Sequence, residues 1–341
     1  MITTQELAKL AGVSQSTVSR SLNDSPRISS ETKSKIQKLA KQHGYIIKEK
    51  KEKNSSLFNK GGIAIILGSD KIRTPLELYL EYLTNGILKE IEKHNFHSVV
   101  LPYDASHNSF KHIQSVIEDG NIKGVVIIYH HYHTKLEEYL SKINMPHVYT
   151  QYFARDMKKN LNIIDVDHFT GGYIATEHLI SLGHQKIVTL THQGSDFQER
   201  TSGFKSALED YGLPYADQWV IATGNTYAAG YEVMEANWHH IQDCTAIFAQ
   251  TDLLGISVNN FLMDRGFKVP KQYSVIGFDG LGEGEYCRPQ LTTIIQPITI
   301  LAESSLHRLA FLIEQKDTSA SHFFVQPQLL LRKSTASPRE Q

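Results

Sequence analysis

Apolar residues are spaced in two different ways along this chain of 341 residues. Up to about residue 45 they come in small groups three or four apart: Leu7, Ala8 and Ala11, then Val18 and Leu22, then Ile36, Leu39 and Ala40. That period predicts three short amphipathic helices. After Gly61-Gly62 the pattern becomes compact apolar runs, at 63–67, 98–102, 124–129, 147–151, 163–167, 186–191, 246–250, 274–279 and, last, 323–331. Amphipathic stretches separate most of them, for example 76–94, 170–182, 199–211, 252–265 and 299–314. Such alternation predicts parallel strands with helices on both faces, an α/β architecture. About 270 residues is more than one sheet of this kind usually needs, so two subdomains with a cleft are expected. Ligands of such sheets sit at the carboxyl ends of the strands.

The head has the punctuation of a helix-turn-helix. Thr3-Thr4-Gln5-Glu6 is a capping box, with Thr3 as N-cap and Glu6 reaching back. Gly12 follows the first helix as a left-handed stop, and Ser14 caps a second helix that runs to about Asn23. Asn23-Asp24-Ser25-Pro26 is turn chemistry, and the third helix opens at Ser29/Ser30 and ends at Gly44. A small residue (Ala8), a glycine four places on (Gly12) and a β-branched residue (Val18) let two helices cross over a short turn. The second helix would then offer Gln15, Ser16, Thr17, Ser19 and Arg20 to base edges in a major groove, with Arg20 suited to a guanine. A generic three-helix bundle with a polar face is the plainer alternative.

Charge changes the balance between these readings. The net charge is −1, but residues 1–60 carry 12 basic and 5 acidic side chains. A basic head on an acidic body suits contact with a polyanion. The composition is otherwise that of a folded protein, with 40% hydrophobic and 21% charged residues. Two cysteines, Cys244 and Cys287, exclude a disulfide framework and a four-cysteine zinc module. No apolar run is long enough for a membrane span, and the opening Met1-Ile2-Thr3-Thr4 lacks the features of a secretory signal, so a cytoplasmic location is expected.

The segment from Thr4 to Asn23, with its Ala-Gly-Val-Ser-x-x-Thr-Val-Ser-Arg core and the later Gly44-Tyr45, resembles the DNA-binding signature of the lactose-repressor (LacI/GalR) family. The resemblance implies that Gln15 and Ser16 set operator choice and that Arg20 also touches bases. It implies that Ser14, Thr17 and Ser19 hold phosphates or cap the helix; Thr4 and Asn23, at the ends of the motif, complete the candidate DNA-contacting set. In that family a hinge helix follows and wedges a leucine pair into the minor groove. Here residues 48–60 carry 7 charges in 13 residues, with neither the Pro-Asn nor the leucine in place. Leu57 fills the wedging role only with a shift of register, and the lysines offer phosphate contacts instead; a plain flexible tether is the alternative.

The resemblance continues through the body. Asp167-His168-Phe169-Thr170-Gly171-Gly172, Glu177-His178-Leu179 through Gly183-His184, Arg200-Thr201-Ser202-Gly203-Phe204, Ser274-Val275-Ile276-Gly277-Phe278-Asp279 and Pro289 through Pro297 are each similar to family segments. What this implies is a periplasmic-binding-protein-like effector domain of two parallel-sheet subdomains behind the helix-turn-helix head.

Candidate effector-binding residues follow from strand ends and from the same resemblance. Arg200 opens a helix where its planar fork can meet ligand oxygens, and Asp279 ends a strand where its carboxylate can accept hydroxyl hydrogens. Thr251 stands where the family usually has an asparagine, and Asp252 is suited to capping or supporting the site. Gln151 lies at a strand end where some members carry an aspartate, and Gln296 where the chain recrosses between subdomains. Tyr79, Tyr129 and Phe197 are candidate walls, although such aromatics are more often core. Tyr129-His130-His131-Tyr132-His133 lacks an acidic or cysteine partner at ligand spacing, which favours a polar rim or subunit interface over a metal.

No cofactor, nucleophile or phosphate-loop motif is apparent. Gly280-Leu281-Gly282-Glu283-Gly284 is not a dinucleotide fingerprint, and nothing fixes Asp165 and Asp167 as a hydrolytic pair.

The sequence therefore predicts a repressor-type regulator of carbohydrate-metabolism genes. Residues 1–47 would read a palindromic double-stranded DNA operator, 48–60 would link, 61–335 would bind a small sugar-like effector and dimerise, and 336–341 would form a tail. Without a leucine heptad after residue 331, a homodimer rather than a tetramer is expected, with no membrane partner. A sugar-binding module without regulation and an α/β enzyme are the alternatives.

Overall fold

A computed structural model describes residues 3–22, 28–42, 61–68, 78–128, 133–151, 160–315 and 319–338. Asn23, Gly44-Tyr45, the 48–60 linker with Leu57, and Tyr129 through Tyr132 lie outside the described residues. The chain divides into two compact units, residues 1–59 and 60–341.

The first unit contains α1 (Thr4–Ala11), α2 (Gln15–Leu22) and α3 (Ser30–Gln42). The capping box forms: the Glu6 amide donates to Thr3 Oγ1 at 3.3 Å, and the Thr3 amide to Glu6 Oε2 at 2.8 Å. Gly12 takes φ 69°, where a side chain on the backbone would be strained. Ser29 caps α3 through the Thr32 amide. Leu7, Ala8, Ala11, Val18, Ile36 and Ala40 are buried together. Leu22 and Leu39, expected inside, are only partly buried, because so small a core cannot enclose every apolar side chain.

In the second unit each subdomain is a six-stranded sheet covered on both faces. Subdomain 1 has the strand order β11-β5-β4-β3-β1-β2. Its strands are β1 (Gly62–Gly68), β2 (His97–Tyr103), β3 (Ile122–Ile128), β4 (His147–Thr150), β5 (Asn162–Val166) and β11 (Ser321–Val325), all parallel. Helices α4 (Leu78–Lys93) and α12 (Ile298–Gln315) pack on one face, α5 (His107–Asp119) and α6 (Thr134–Lys142) on the other. Subdomain 2 has the order β12-β10-β9-β8-β6-β7. Its strands are β6 (Ile187–Thr191), β7 (Val220–Ala222), β8 (Ala246–Ala249), β9 (Ser274–Asp279), β10 (Thr292–Ile295) and the antiparallel β12 (Gln328–Leu330). Helices α7 (His168–Ser181) and α8 (Ser195–Asp210) cover one face, α9 (Tyr227–Ile241) and α10 (Asp252–Asp264) the other.

The chain passes between the sheets three times, after β5, after β10 and between β11 and β12. The last crossing corrects the sequence reading of 323–331 as one strand. Gln326-Pro327 separates two short strands that belong to different sheets, and a proline cannot continue the ladder. The strands β7 and β10 were not anticipated; β10 opens Thr292-Thr293 and lacks a clean apolar run. Packing also extends past residue 335. Ser274 Oγ donates to the Ala336 carbonyl at 2.9 Å, and His184 Nε2 lies 2.9 Å from the same oxygen.

Two close approaches set the geometry of the site. A Cβ on Gly172 would lie 2.1 Å from the Arg200 carbonyl oxygen, and one on Gly203 would lie 2.0 Å from that of Phe169. The pair Gly172/Gly203 therefore lets α7 and α8 cross backbone to backbone. Gly171 does the same against the Phe278 ring, where a Cβ would fall at 2.6 Å.

Candidate functional site

The carboxyl ends of the two sheets bring together Tyr79, Gln151 and Asp165 from subdomain 1 with Arg200, Asp279 and Gln296 from subdomain 2. All six are buried. Tyr79 lies on α4, and Asp165, Asp279 and Arg200 all bear on its ionisation; burial, the largest influence, holds its hydroxyl well above the ordinary phenol range. Gln151 follows β4 with φ 63°, an uncommon conformation for a residue with a side chain. Three buried oxygens, Tyr79 Oη, Gln151 Oε1 and Gln296 Oε1, lack a well-formed hydrogen bond, with the Gln151 side chain close enough to Tyr79 to favour its ionised form. A buried polar group left unpaired costs free energy, so such a cluster marks a place made for something else.

Arg200 is held on every side. Its Nε donates to His168 Nδ1 at 3.3 Å, its Nη1 to the Gln250 carbonyl, and its Nη2 is 3.5 Å from Asp196 Oδ2. The guanidinium lies 3.9 Å from the Phe278 ring centre and 4.9 Å from that of Phe197. Phe197 is thus a wall for Arg200 and also meets His192 edge-on.

Asp279 ends β9 at φ 130° and accepts from Gln296 Nε2 at 2.7 Å. Burial pushes its carboxyl well above the ordinary range, although Arg200 opposes the shift. Neighbouring Asp252 is buried and pushed up to about 6, again mainly by burial, and accepts from the Leu281 amide at 2.7 Å and from Thr293. Asp252 supports the strap after β9, while Thr251 is the N-cap of α10. The Thr251 hydroxyl accepts from the Leu254 amide and donates to Asn225 Oδ1 at 3.1 Å. That commitment to capping separates Thr251 from the cluster.

Leu281, two residues beyond Asp279, is buried in the apolar cluster of subdomain 1 with Tyr79, Leu80 and Leu83. A residue of subdomain 2 is thereby a bolt in the core of subdomain 1.

Sequence reasoning did not place Asp165, His168, Asp196 and Gln250 in the site. Asp165 could have been found as the single charge inside the apolar run Ile163-Ile164-Asp165-Val166. It is buried, and burial raises its carboxyl well above the ordinary range. The other three carry no pattern that separates them from structural residues.

On the head, Ser14, Gln15, Ser16, Ser19 and Arg20 are exposed along α2, and Thr4 and Thr17 are half-buried. Ser14 acts as the cap, accepting from the Thr17 amide at 3.1 Å, and its hydroxyl also meets those of Ser16 and Thr17. Gln15 Nε2 donates to Thr4 Oγ1 at 3.1 Å, which ties the start of α2 to that of α1. Among the described residues no group of three or more His, Cys, Asp or Glu side chains could hold a metal ion, and no helix is long and apolar enough to cross a membrane.

A helix-turn-helix unit and a two-sheet body with polar groups between its sheets form the architecture of a two-part transcriptional regulator. Residues 3–47 match the model of bacterial regulatory proteins of the lacI family, and residues 176–335 match that of periplasmic-binding-protein-like domains. The chain thus carries a lacI-family DNA-binding region ahead of a periplasmic-binding-protein-like domain, and the relatives it resembles over its whole length are transcriptional regulators. The regulator DegA of Bacillus subtilis is 29% identical over 347 residues, 98% of both chains. CelR of Thermobifida fusca is 24% identical over 335 residues, 97% of this chain and 98% of its own. A solved CelR–cellobiose complex superposes with a TM-score of 0.71 at 24% identity over 98% of this chain and 100% of that one. A ribose-bound LacI-family regulator from Enterococcus faecium gives 0.68 at 27% identity over 81% and 100%. The relatives are transcriptional regulators rather than enzymes.

Proposed function

We propose that the protein is a repressor of carbohydrate-metabolism genes that binds a palindromic operator as a homodimer and is switched by a small sugar-like effector. Its working place is the cytoplasm, where the DNA is. The observation that carries this reading is the convergence of Tyr79 Oη, Gln151 Oε1 and Gln296 Oε1, buried and without a well-formed hydrogen bond, from both sheets of the body. A hydroxylated ligand between the sheets satisfies all three and joins the subdomains. The sugars bound to CelR and to the Enterococcus regulator in their structures support the same class of ligand.

On the head, Gln15, Ser16 and Arg20 read base edges. Thr4, Ser14, Thr17 and Ser19 position the helix, with Asn23 at its end. The 48–60 segment links head to body, with its lysines, and Leu57 where the register allows, toward the DNA. In the body Arg200, Asp279, Gln151, Gln296 and Tyr79 form the effector floor, flanked by Phe197, with Thr251 behind it; Tyr129 is a further effector-binding candidate. The effector alters operator affinity through its preference for one arrangement of the subdomains.

The test is selection of random duplex DNA on the purified protein at moderate salt, with and without a panel of sugars. An enriched palindrome, with Gln15→Ala relaxing specificity at one symmetric pair of positions, is the expected result. Failure to enrich any sequence under either condition overturns the operator reading.

A further inference from the structure

Asp165 and His168 face each other across the first crossing between the sheets. Asp165 lies on β5 in subdomain 1, and His168 is the first residue of α7 in subdomain 2. The chain between them is well anchored. Asp167 caps α7 by accepting from the Thr170 amide at 2.9 Å. Its own amide donates to the Val325 carbonyl at 3.0 Å, and Gln326 Nε2 donates to its carboxylate at 3.3 Å. Those two bonds tie this crossing to the one between β11 and β12. The backbone of His168 is therefore fixed at the junction, and its buried ring reaches both ways. Nε2 lies 3.6 Å from Asp165 Oδ1, and Nδ1 accepts from Arg200 Nε at 3.3 Å.

The second contact fixes the state of the ring. A guanidinium stays protonated and only donates, so Nδ1 must present its lone pair. His168 is then a neutral imidazole with its proton on Nε2, the nitrogen on the side of Asp165. A carboxyl group at one ring nitrogen orients an imidazole and strengthens the other nitrogen as an acceptor. Phe278 supports both partners: the guanidinium lies 3.9 Å from its ring centre, and the imidazole centre lies 6.0 Å away, tilted by 35°. We propose that His168 is a positioning residue through which Asp165 of subdomain 1 sets the orientation of Arg200 in subdomain 2, a role that rests on the effector reading above. The crossing lies between Asp165 and His168, so a rotation of one subdomain against the other changes their separation. The hold on the Arg200 guanidinium then follows the arrangement of the subdomains.

Side-chain NMR on the full chain, with ¹⁵N-labelled histidine and arginine and no ligand, tests this. Failure here is separate from failure of the effector reading, which the sugar panel decides. Arg200→Lys and His168→Asn identify the two resonances by their loss. The His168 ring should be protonated at Nε2 and bare at Nδ1 at pH 7, a reading that needs no variant to be stable on its own account. Asp165→Asn should shift the Arg200 Nε resonance. His168→Asn keeps an acceptor where Nδ1 stands but lacks the reach of Nε2, so in that background the shift caused by Asp165→Asn should be lost. A ring that is doubly protonated or carries its proton on Nδ1 overturns the proposal. So does an Arg200 shift of equal size in both backgrounds, which would show that Asp165 acts on Arg200 without His168.

Discussion

At the scale of the residue, the buried ionisable groups set how the body responds to pH. Glu137 on α6 accepts from Tyr149, and its Oε1 lies 3.0 Å from His147 Nε2. Burial works to lower the His147 value, but the hydrogen bond and charge of Glu137 outweigh it and the imidazole is raised above 6.5. Burial likewise works to raise Glu137, yet His147, Tyr149 and Ser141 bring it below 4.5. The stabilisation from His147 is complete below 6.5 and is lost as pH rises through its raised folded value. That from Glu137 is complete above 4.5 and is lost as pH falls through its lowered one. NMR titration should show the His147 ring titrating above 6.5, and Glu137→Gln should bring it to that value or lower; an unchanged midpoint would show that the carboxylate is not the cause. Burial raises Asp279, which faces Arg200, Asp252, Gln296 and Tyr79. A ligand that donates hydrogen bonds to it favours the ionised form, so effector binding at a pH where the carboxyl is still protonated should release protons. Calorimetry in buffers of different ionisation enthalpy reads that release directly, and proton uptake would contradict it.

At the scale of the element, close helix approach places the site among the described residues. The Gly171-Gly172 pair and Gly203 bring α7 against α8 and Phe278, and Phe278 supports the guanidinium of Arg200. Gly172→Ala puts a methyl group into the Arg200 carbonyl and should destabilise by about 1–3 kcal/mol or more. At about 2–4 °C per kcal/mol, thermal unfolding reports it. The strap after β9 is the second such element. Leu281→Ala leaves a cavity in the α4 cluster and should cost about 2–5 kcal/mol. Because Leu281 joins the strap of Asp279 to the other subdomain, the same variant should also weaken effector binding. Retained affinity in a destabilised variant would show that the bolt does not transmit to the site.

At the scale of the whole molecule, regulation requires the effector and the operator to prefer different states of one protein. Coupling of this kind is reciprocal: the factor by which effector changes operator affinity equals the factor by which operator changes effector affinity. Typical couplings are about 5–150-fold. Fluorescence anisotropy on labelled operator, read against calorimetry of effector with and without DNA, should return one factor from both directions. Two unequal factors would mean that the ligand acts on aggregation or on a second site. A homodimer should persist in sedimentation at micromolar concentration, and a tetramer would contradict the expected stoichiometry.

The sequence by itself determined the local elements and their order. The Thr3–Glu6 box, Gly12 and the Ser14 cap are short-range devices, and each is complete within a few residues of chain. The apolar runs fixed most strands, and Asp279 stood out at a strand end; Arg200 was expected to open a helix, whereas α8 begins five residues earlier at Ser195. What only the tertiary structure decided is which elements share a sheet and which polar side chains lose their water. Residues 323–331 read as one strand, yet they serve two sheets, because the partners of a strand are set by the three crossings and not by its own residues. Asp165, Asp196 and Gln250 join Arg200 from segments far apart in the chain. Tyr79, Gln151 and Gln296 became recognisable as unsatisfied only when both sheets closed over them. Burial and pairing are properties of the assembled fold, and no local pattern records them.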